Sequence, residues 1–291
     1  MNAIASLNLL LERRLRSSER AGDKENNHTQ QQMSINRIFV LAKNVFQEVV
    51  RDRILYIIGF YALILATAFR VLPEFAATTE DKMFLDFGMA AMNAIGLIVT
   101  IFVGTGLVNK EIEKRTILML IAKPVSRSEI IIGKYLGLSA ILAVLVAMMT
   151  AIYLVFLQFG NIPHPTASIL IAAIFLFLQL SLITALAITF GVFTASLLAT
   201  VLTFAVYLIG NVTQDLVQLG RLSRNPGMER LTQGLFLILP DLSRLDLKND
   251  AVYGLQALPD LTGLITNAGY GLVYSVMLLA IAILIFSQRE F

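Results

Sequence analysis

Long apolar runs dominate this sequence and constrain its fold more than any other feature. A helix needs about 20 predominantly apolar residues to cross the hydrocarbon layer of a bilayer. The candidate runs cover residues 54–72, 87–108, 135–159, 169–190, 197–209 and 268–286. A very short turn separates the fourth run from the fifth, and this division is the least defined in the sequence. The runs predict an all-α polytopic membrane protein with about six transmembrane helices.

The composition agrees with a chain that faces lipid. Hydrophobic residues make up 57% of the 291 residues and charged residues only 15%, whereas about a quarter of the residues in soluble domains are charged. The net charge of +3 is then better explained by basic residues kept on the cytoplasmic side of a membrane than by nucleic-acid binding. Because the chain has no cysteine, disulfides, thiolate metal sites and cysteine nucleophiles are excluded.

Charge in the loops orients the helices, because the cytoplasmic loops of membrane proteins are enriched in lysine and arginine. The basic residues before the first run and between the second and third runs are Arg37, Lys43, Arg51, Arg53, Lys110, Lys114, Arg115, Lys123, Arg127 and Lys134. The charged residues of 73–86, by contrast, are mostly acidic, with Glu74, Glu80, Asp81 and Asp86 against Lys82. We therefore expect both termini and residues 109–134 on the cytoplasmic side of a bacterial-type plasma membrane.

The basic residues in 211–267 are an exception to the charge rule. In the expected orientation this segment would lie outside, yet it contains arginine and lysine. Acidic residues nearly balance these charges, and long translocated loops follow the charge rule poorly. Leucines in the segment recur at helical spacing in two sets, with "RNPG" between the sets and Pro240 after the second. We expect short amphipathic or re-entrant helices in this external segment.

Two segments precede the first run. Residues 1–34 are polar with almost no apolar periodicity, which predicts a disordered N-terminal arm. The arm lacks the apolar core of a signal peptide. Met33 lies just before the first patterned segment, and a start of translation there instead of at Met1 is a hypothesis. Residues 35–53 have an apolar stripe and a basic opposite face, which predicts an amphipathic helix in the membrane interface. The six-helix domain then covers residues 54–291, and Pro73 is expected to end its first helix.

Residues 109–134 form a charged element between two apolar runs and include the stretch "EIEKRTILMLIAKPVSRSEIIIGK". Glu111 and Glu113 would lie in the first turn of a short helix, where the helix dipole favours anions. Lys123 would lie near the carbonyl end of that helix, and Pro124 would stop it. The pattern predicts a short helix that ends at a proline corner.

A second helix is predicted after the proline corner. Ser126 and Glu129 have the spacing of a capping box, in which the two residues satisfy backbone donors at a helix start. The helix would continue directly into the third apolar run. A passive cytoplasmic loop can be capped in the same way, so these residues alone leave a structural and a functional interpretation open.

The string "KEIEKRTILMLIAKPVSRSEIIIGKYLG" resembles the region between the second and third helices of the type-two ABC transporter permeases. It is most similar to the branch that contains the permease of the nitrous-oxide-reductase copper-maturation system. That region has a glutamate-rich start, a Thr-Leu-like pair, a Lys-Pro-(Val/Ile)-Ser-Arg corner and a Gly-Lys pair. Here these features fall on Glu111, Glu113, Thr116, Ile117, Lys123, Pro124, Ser126, Arg127, Gly133 and Lys134. Arg115 stands where the family often has glycine, and weaker similarity extends to "RDR", "LPDLSRLDL" and "REF".

The resemblance implies a permease subunit of an ATP-driven exporter. Such a subunit works as a dimer, with itself or with a paralogue, and with two separate ATP-binding-cassette subunits that hold the ATP and Mg²⁺. The chain itself would then need no cofactor and would contact membrane lipids but no nucleic acid. Coupling to the ATPase would fall on Glu111, Glu113, Arg115, Thr116, Lys123, Pro124, Ser126, Arg127, Glu129, Gly133 and Lys134.

Groups for an enzymatic site are missing from the sequence. The pair Gly133–Lys134 is followed by Tyr135 and lacks the upstream glycine, so it is not a phosphate-binding loop. The two histidines, His28 and His164, are far apart, and no metal site is expected. A serine nucleophile in "GLSA" would have no intramembrane histidine as its base. The chain is therefore not expected to be an enzyme, and the alternative to an exporter is an ATPase-independent channel or a membrane anchor subunit.

The second apolar run carries a stripe at four-residue spacing. The stripe consists of Gly88, Met92, Gly96, Thr100 and Gly104. Small residues at this spacing allow helices to pack closely, either within the chain, against a second copy or beside a transport pathway. Asn93 is a polar residue in the same run, and polar groups in hydrocarbon are costly and often functional. No charged ladder crosses the runs, which argues against a proton pump or an ion-selective channel and is compatible with an amphiphilic or lipid-like cargo.

Overall fold

A computed structural model describes residues 37–47, 54–75, 80–113, 127–223 and 226–288. These residues contain six helices that are long and apolar enough to cross a membrane, and no β-strand occurs within the described ranges. The predicted all-α polytopic fold is therefore confirmed. The predicted N-terminal arm and the tail "REF" lie outside the described residues.

We number the helices in chain order. Their bounds are 37–47 for α1, Ile54–Phe75 for α2, Glu80–Glu113 for α3, Arg127–Phe159 for α4, Thr166–Phe193 for α5, Ser196–Leu222 for α6, Pro226–Ile238 for α7, Lys248–Ala251 for α8 and Leu261–Gln288 for α9. A 3₁₀ turn at Leu242–Leu245 lies between α7 and α8. The six candidate membrane spans are α2 to α6 and α9.

Helix α5 is the centre of the bundle. It contacts α3, α4, α6 and α9, and every residue from Gln179 to Thr189 is buried. Its sequence contains no charged residue and is apolar on all sides, which is typical of a helix enclosed by others. The neighbouring helices are therefore positioned around α5.

Helix α3 is longer than the apolar run that predicts it. It begins at Glu80 rather than Phe87 and continues to Glu113. Hydropathy reports only the part of a helix that lipid surrounds, whereas the backbone hydrogen bonds of a helix can continue through polar turns beyond it. The helix therefore includes the second half of the predicted acidic loop and the start of residues 109–134.

Helix α6 differs from the prediction for the same reason. The two residues Thr194 and Ala195 separate it from α5, in agreement with the predicted very short turn. The helix continues to Leu222 rather than ending at Ile209. Residues 211–222 thus extend the fifth span instead of forming a separate external helix, and α9 likewise begins at Leu261 instead of Ala268.

The expectation that Pro73 ends the first span is wrong, because α2 continues to Phe75. Proline removes one backbone donor and crowds the preceding turn of a helix. Here only the last two residues of α2 follow it, so the helix loses little hydrogen bonding beyond this point.

The segment after α7, which we call the distal cap (residues 239–260), covers one end of the bundle. Leu242 and Leu245 of its 3₁₀ turn are completely buried. Lys82 is in the first turn of α3, and its Nζ lies 5.4 Å from the centre of the Tyr253 ring. The distal cap is therefore at the end of α3 opposite Glu113.

A buried carboxylate holds the distal cap in place. Asp241 is only 2% exposed. Its carboxylate accepts hydrogen bonds from Gln214 Nε2 at 2.9 Å, Ser243 Oγ at 2.6 Å and Arg244 Nε at 3.0 Å. Its backbone N–H donates to the hydroxyl of Tyr270 at 2.8 Å. These bonds join the cap to α6 and α9.

Candidate functional site

The structure describes the two ends of the predicted coupling segment. Helix α3 ends at Glu113 and α4 begins at Arg127, and the side chains at these two positions and at Glu111 are not described. The predicted residues that lie between these ends, outside the described ranges, are Arg115, Thr116, Lys123, Pro124 and Ser126. Glu111 and Glu113 belong to the last described turn of α3. The expectation that they begin a separate helix is wrong, because α3 continues through them.

The second half of the segment is part of the third span. A single helix, α4, runs from Arg127 to Phe159, as the sequence predicts. Glu129 lies in its first turn, where the helix dipole favours a carboxylate. Both Glu129 and Lys134 are buried, each with only 6% of the residue exposed. These two residues of the predicted coupling segment therefore lie inside the fold and are not part of its solvent-exposed surface.

Helix α1 packs directly against the start of α4. A Cβ atom at Gly133 would lie 2.8 Å from Cβ of Leu41, and one at Gly137 would lie 2.8 Å from the carbonyl oxygen of Ala42. Only glycine allows the two backbones to approach this closely. Gly133 thus joins the coupling segment to α1. Sequence reasoning missed Gly137, although its four-residue spacing from Gly133 repeats the pattern recognised in α3.

Replacing Gly137 with valine is expected to displace α1. The new side chain would meet a backbone carbonyl, and overpacking of this kind typically costs about 1–3 kcal/mol. Trypsin should then cleave at Lys43 of α1 faster than in the wild-type protein in detergent. Gly59→Val is the control, since a Cβ at Gly59 has no neighbour within 4 Å. An unchanged cleavage rate in the Gly137 variant would contradict the proposed contact.

The glycine and threonine stripe of α3 packs within the chain. A Cβ at Gly96 would lie 2.6 Å from Cδ1 of Leu180, and one at Gly104 would lie 2.9 Å from Cβ of Ala187. Both partners belong to α5. Thr100 between them is completely buried and donates a hydrogen bond to the carbonyl oxygen of Gly96 at 2.7 Å. The stripe brings α3 onto the central helix.

A separate group of polar side chains lies inside the bundle below the distal cap. Asn93 is 5% exposed, and its Nδ2 donates to the hydroxyl of Tyr207 at 3.4 Å. Its Oδ1 is buried without a hydrogen-bond partner. Gln179 Nε2 donates to Oδ1 of Asn211 at 3.4 Å. Polar groups from α3, α5 and α6 therefore meet in the interior.

Asn93 and Gln179 line a narrow cavity together with Asp246 and Lys248 of the cap. The cavity volume of about 10 Å³ is about that needed for a single water molecule. Within the described ranges, no three histidine, aspartate or glutamate side chains are grouped so that they could hold a metal ion.

Comparison with known proteins identifies one family. A family model described as "ABC-2 family transporter protein" matches residues 15–291. This range includes the segment between α3 and α4, all six candidate spans and the distal cap. Comparison with curated proteins gives no significant match.

Proposed function

Since this chain belongs to the ABC-2 transporter family and is therefore the membrane permease subunit of an ABC transporter, we propose that it couples ATP hydrolysis by a separate subunit to export of a substrate. The observation that carries the proposal is the family match over residues 15–291. An ATPase-independent channel or anchor is not favoured, because the family is one of ABC transporters.

Residues 109–134 are the proposed contact with the ATPase. They connect the end of α3 to the start of α4, and both helices pack against the central helix α5. Helix α1 is fixed to the same turns of α4 through Gly133 and Gly137. A movement of the segment would therefore be transmitted to α1, α3 and α4 together.

The proposed assembly contains two copies of the permease, or this chain with a paralogue, and two ATP-binding subunits. These subunits supply the ATP and Mg²⁺ sites. In this proposal both termini and residues 109–134 lie on the cytoplasmic side. Lysine and arginine are concentrated before the first span and in residues 109–134, and cytoplasmic loops are enriched in these residues. The branch of the family remains a prediction based on the sequence string of the coupling segment.

The double substitution Lys123→Ala and Arg127→Ala tests the coupling. The full chain is co-expressed with an ATP-binding-cassette subunit from the same genome, and the complex is purified through a tag on the permease. We expect normal membrane insertion but about tenfold less ATPase activity per purified permease, since two exposed charged contacts of up to about 1 kcal/mol each together cost about 1.4 kcal/mol, which is a factor of ten.

Lys82→Ala with Arg221→Ala is the matched control, because both side chains lie outside the coupling segment. If the double variant keeps wild-type ATPase association and hydrolysis, the coupling assignment is wrong. If no ATP-binding subunit co-purifies with the wild-type chain, the proposed function itself is wrong.

A further inference from the structure

Two adjoining cavities line one side of α2 at the distal end of the bundle. The first has a volume of about 500 Å³ and lies between α2, the start of α3 and the loop from α4 to α5. Its apolar wall includes Phe69, Phe84 and Ile162, and its charged residues are Arg70, Glu74 and Asp81. A cavity with an aromatic wall and charges of both signs suits an amphiphilic ligand.

The second cavity continues from the first along α2. Its volume is about 360 Å³, and Leu72 lines both cavities. Leu63, Thr67, Val71 and Phe87 line the remainder, and the exposed lining is almost entirely apolar. The hydroxyl of Thr67 donates to the carbonyl oxygen of Leu63 at 2.9 Å, so this residue needs no polar partner in the cavity.

The length of the apolar cavity matches the hydrocarbon part of one leaflet of a bilayer. At 1.5 Å per residue, the distance along α2 from Leu63 to Leu72 is about 14 Å. Half of a hydrocarbon layer about 30 Å thick is about 15 Å. With α2 spanning a bilayer, this length suits an acyl chain in the apolar cavity and a headgroup in the charged cavity.

The charged residues in the first cavity lack partners of their own. Arg70, Glu74 and Asp81 make no hydrogen bond or ion pair in the part of the chain that the structure describes. Arg70 and Glu74 are four residues apart and therefore lie on the same face of α2. One guanidinium and two carboxylates are thus available to a ligand that carries both charges.

We propose that these cavities bind one phospholipid with an ethanolamine headgroup. The guanidinium of Arg70 binds the phosphate, a geometry for which arginine is well suited. The ammonium group donates hydrogen bonds to the carboxylates of Glu74 and Asp81, and one acyl chain occupies the groove beside Leu63 and Phe87. This site goes beyond the proposed export function, because binding requires neither ATP nor a partner subunit.

The headgroup chemistry makes the proposal selective. A choline headgroup carries the same charges but has no N–H to donate, and a glycerol headgroup has no cation for the two carboxylates. Selectivity for ethanolamine therefore depends on Glu74 and Asp81, whereas Arg70 would bind the phosphate of any phospholipid. General coating of the helices by lipid would show no such dependence.

Native mass spectrometry of the full chain in detergent tests the site. Ethanolamine, choline and glycerol phospholipids with identical acyl chains are titrated separately. We expect one ethanolamine lipid per chain, bound about tenfold more tightly than either of the others, since a hydrogen bond to a charged group is worth about this factor. Equal affinities for the three lipids would overturn the proposal.

Two further variants identify the residues involved. Glu74→Ala with Asp81→Ala should remove the preference for ethanolamine over choline, because both acceptors of the ammonium N–H groups are lost, whereas Arg70→Ala should weaken the binding of all three lipids. Asp215→Asn with Arg221→Ala, two exposed residues of α6, is the control and should change nothing. If the preference persists in the Glu74–Asp81 variant, or if the control removes it too, the site is wrong.

Discussion

Asp241→Ala is expected to destabilise the protein by about 3 kcal/mol, because three donors lose a buried acceptor and hydrogen bonds to a charged group are worth about 1.5–3 kcal/mol each without being additive. Arg244 is 40% exposed on its side chain and can return to water, which limits the loss. Thermal unfolding in detergent, followed by circular dichroism, should show a midpoint roughly 6–12 °C lower.

Two control variants distinguish the contribution of the Asp241 carboxylate to stability from other effects of a substitution. Asp241→Asn keeps one acceptor oxygen and should lose less, about 1 kcal/mol. Asp215→Asn changes an exposed carboxylate on the neighbouring helix and should have no measurable effect. Trypsin cleavage at Lys248 should also become faster in Asp241→Ala, since the distal cap would open locally. A wild-type midpoint for Asp241→Ala would show that the carboxylate network does not hold the cap.

Gly88→Val is expected to cost about 3 kcal/mol, at the upper end of the range for overpacking. A Cβ at Gly88 would lie 2.7 Å from Cδ2 of Tyr153. That tyrosine cannot move away easily, because it is completely buried and its hydroxyl donates to the carbonyl oxygen of Leu85 at 2.8 Å. Its ring also stacks on Phe84, with centroids 6.4 Å apart.

A double-mutant cycle checks the origin of this loss. Gly88→Val combined with Tyr153→Ala should be less destabilised than the sum of the two single changes, because valine would occupy space that the ring has vacated. Gly106→Val is the control on the same helix, since a Cβ there has no neighbour within 4 Å. If the two losses of stability are additive, the destabilisation by Gly88→Val does not arise from the clash with the Tyr153 ring. The measurement is again the thermal unfolding midpoint.

The existence of the six spans could be predicted from the sequence, but several of their ends could not. The hydropathy of α3 falls at the charged residues before Phe87, although its helix begins at Glu80. The same applies to α6, where the polar residues after Ile209 continue the helix to Leu222. Apolar length measures the thickness of the lipid, whereas helix length depends on backbone hydrogen bonds and on the packing of the polar turns.

The proposed coupling segment could be predicted from its motif, but its packing against α1 could not. Gly133 belongs to the Gly-Lys pair of the motif, whereas its described contact is with Leu41 of α1. A contact between residues this far apart in the sequence leaves no local pattern. The distal cap shows the same limit, because "LPDLSRLDL" contains an aspartate that would be expected in water and is nevertheless buried.

Helix α3 has 34 residues and no proline, so it extends over about 51 Å, more than the roughly 40–45 Å of a whole bilayer with its headgroups. One end adjoins the coupling segment, and Asp81 near the other end lines the charged cavity. Such a rod acts as a lever. A rotation of 5° about one end displaces the other by about 4 Å at this length, which exceeds the length of a hydrogen bond. A small reorientation at one membrane surface is thus enough to change which groups meet at the opposite surface.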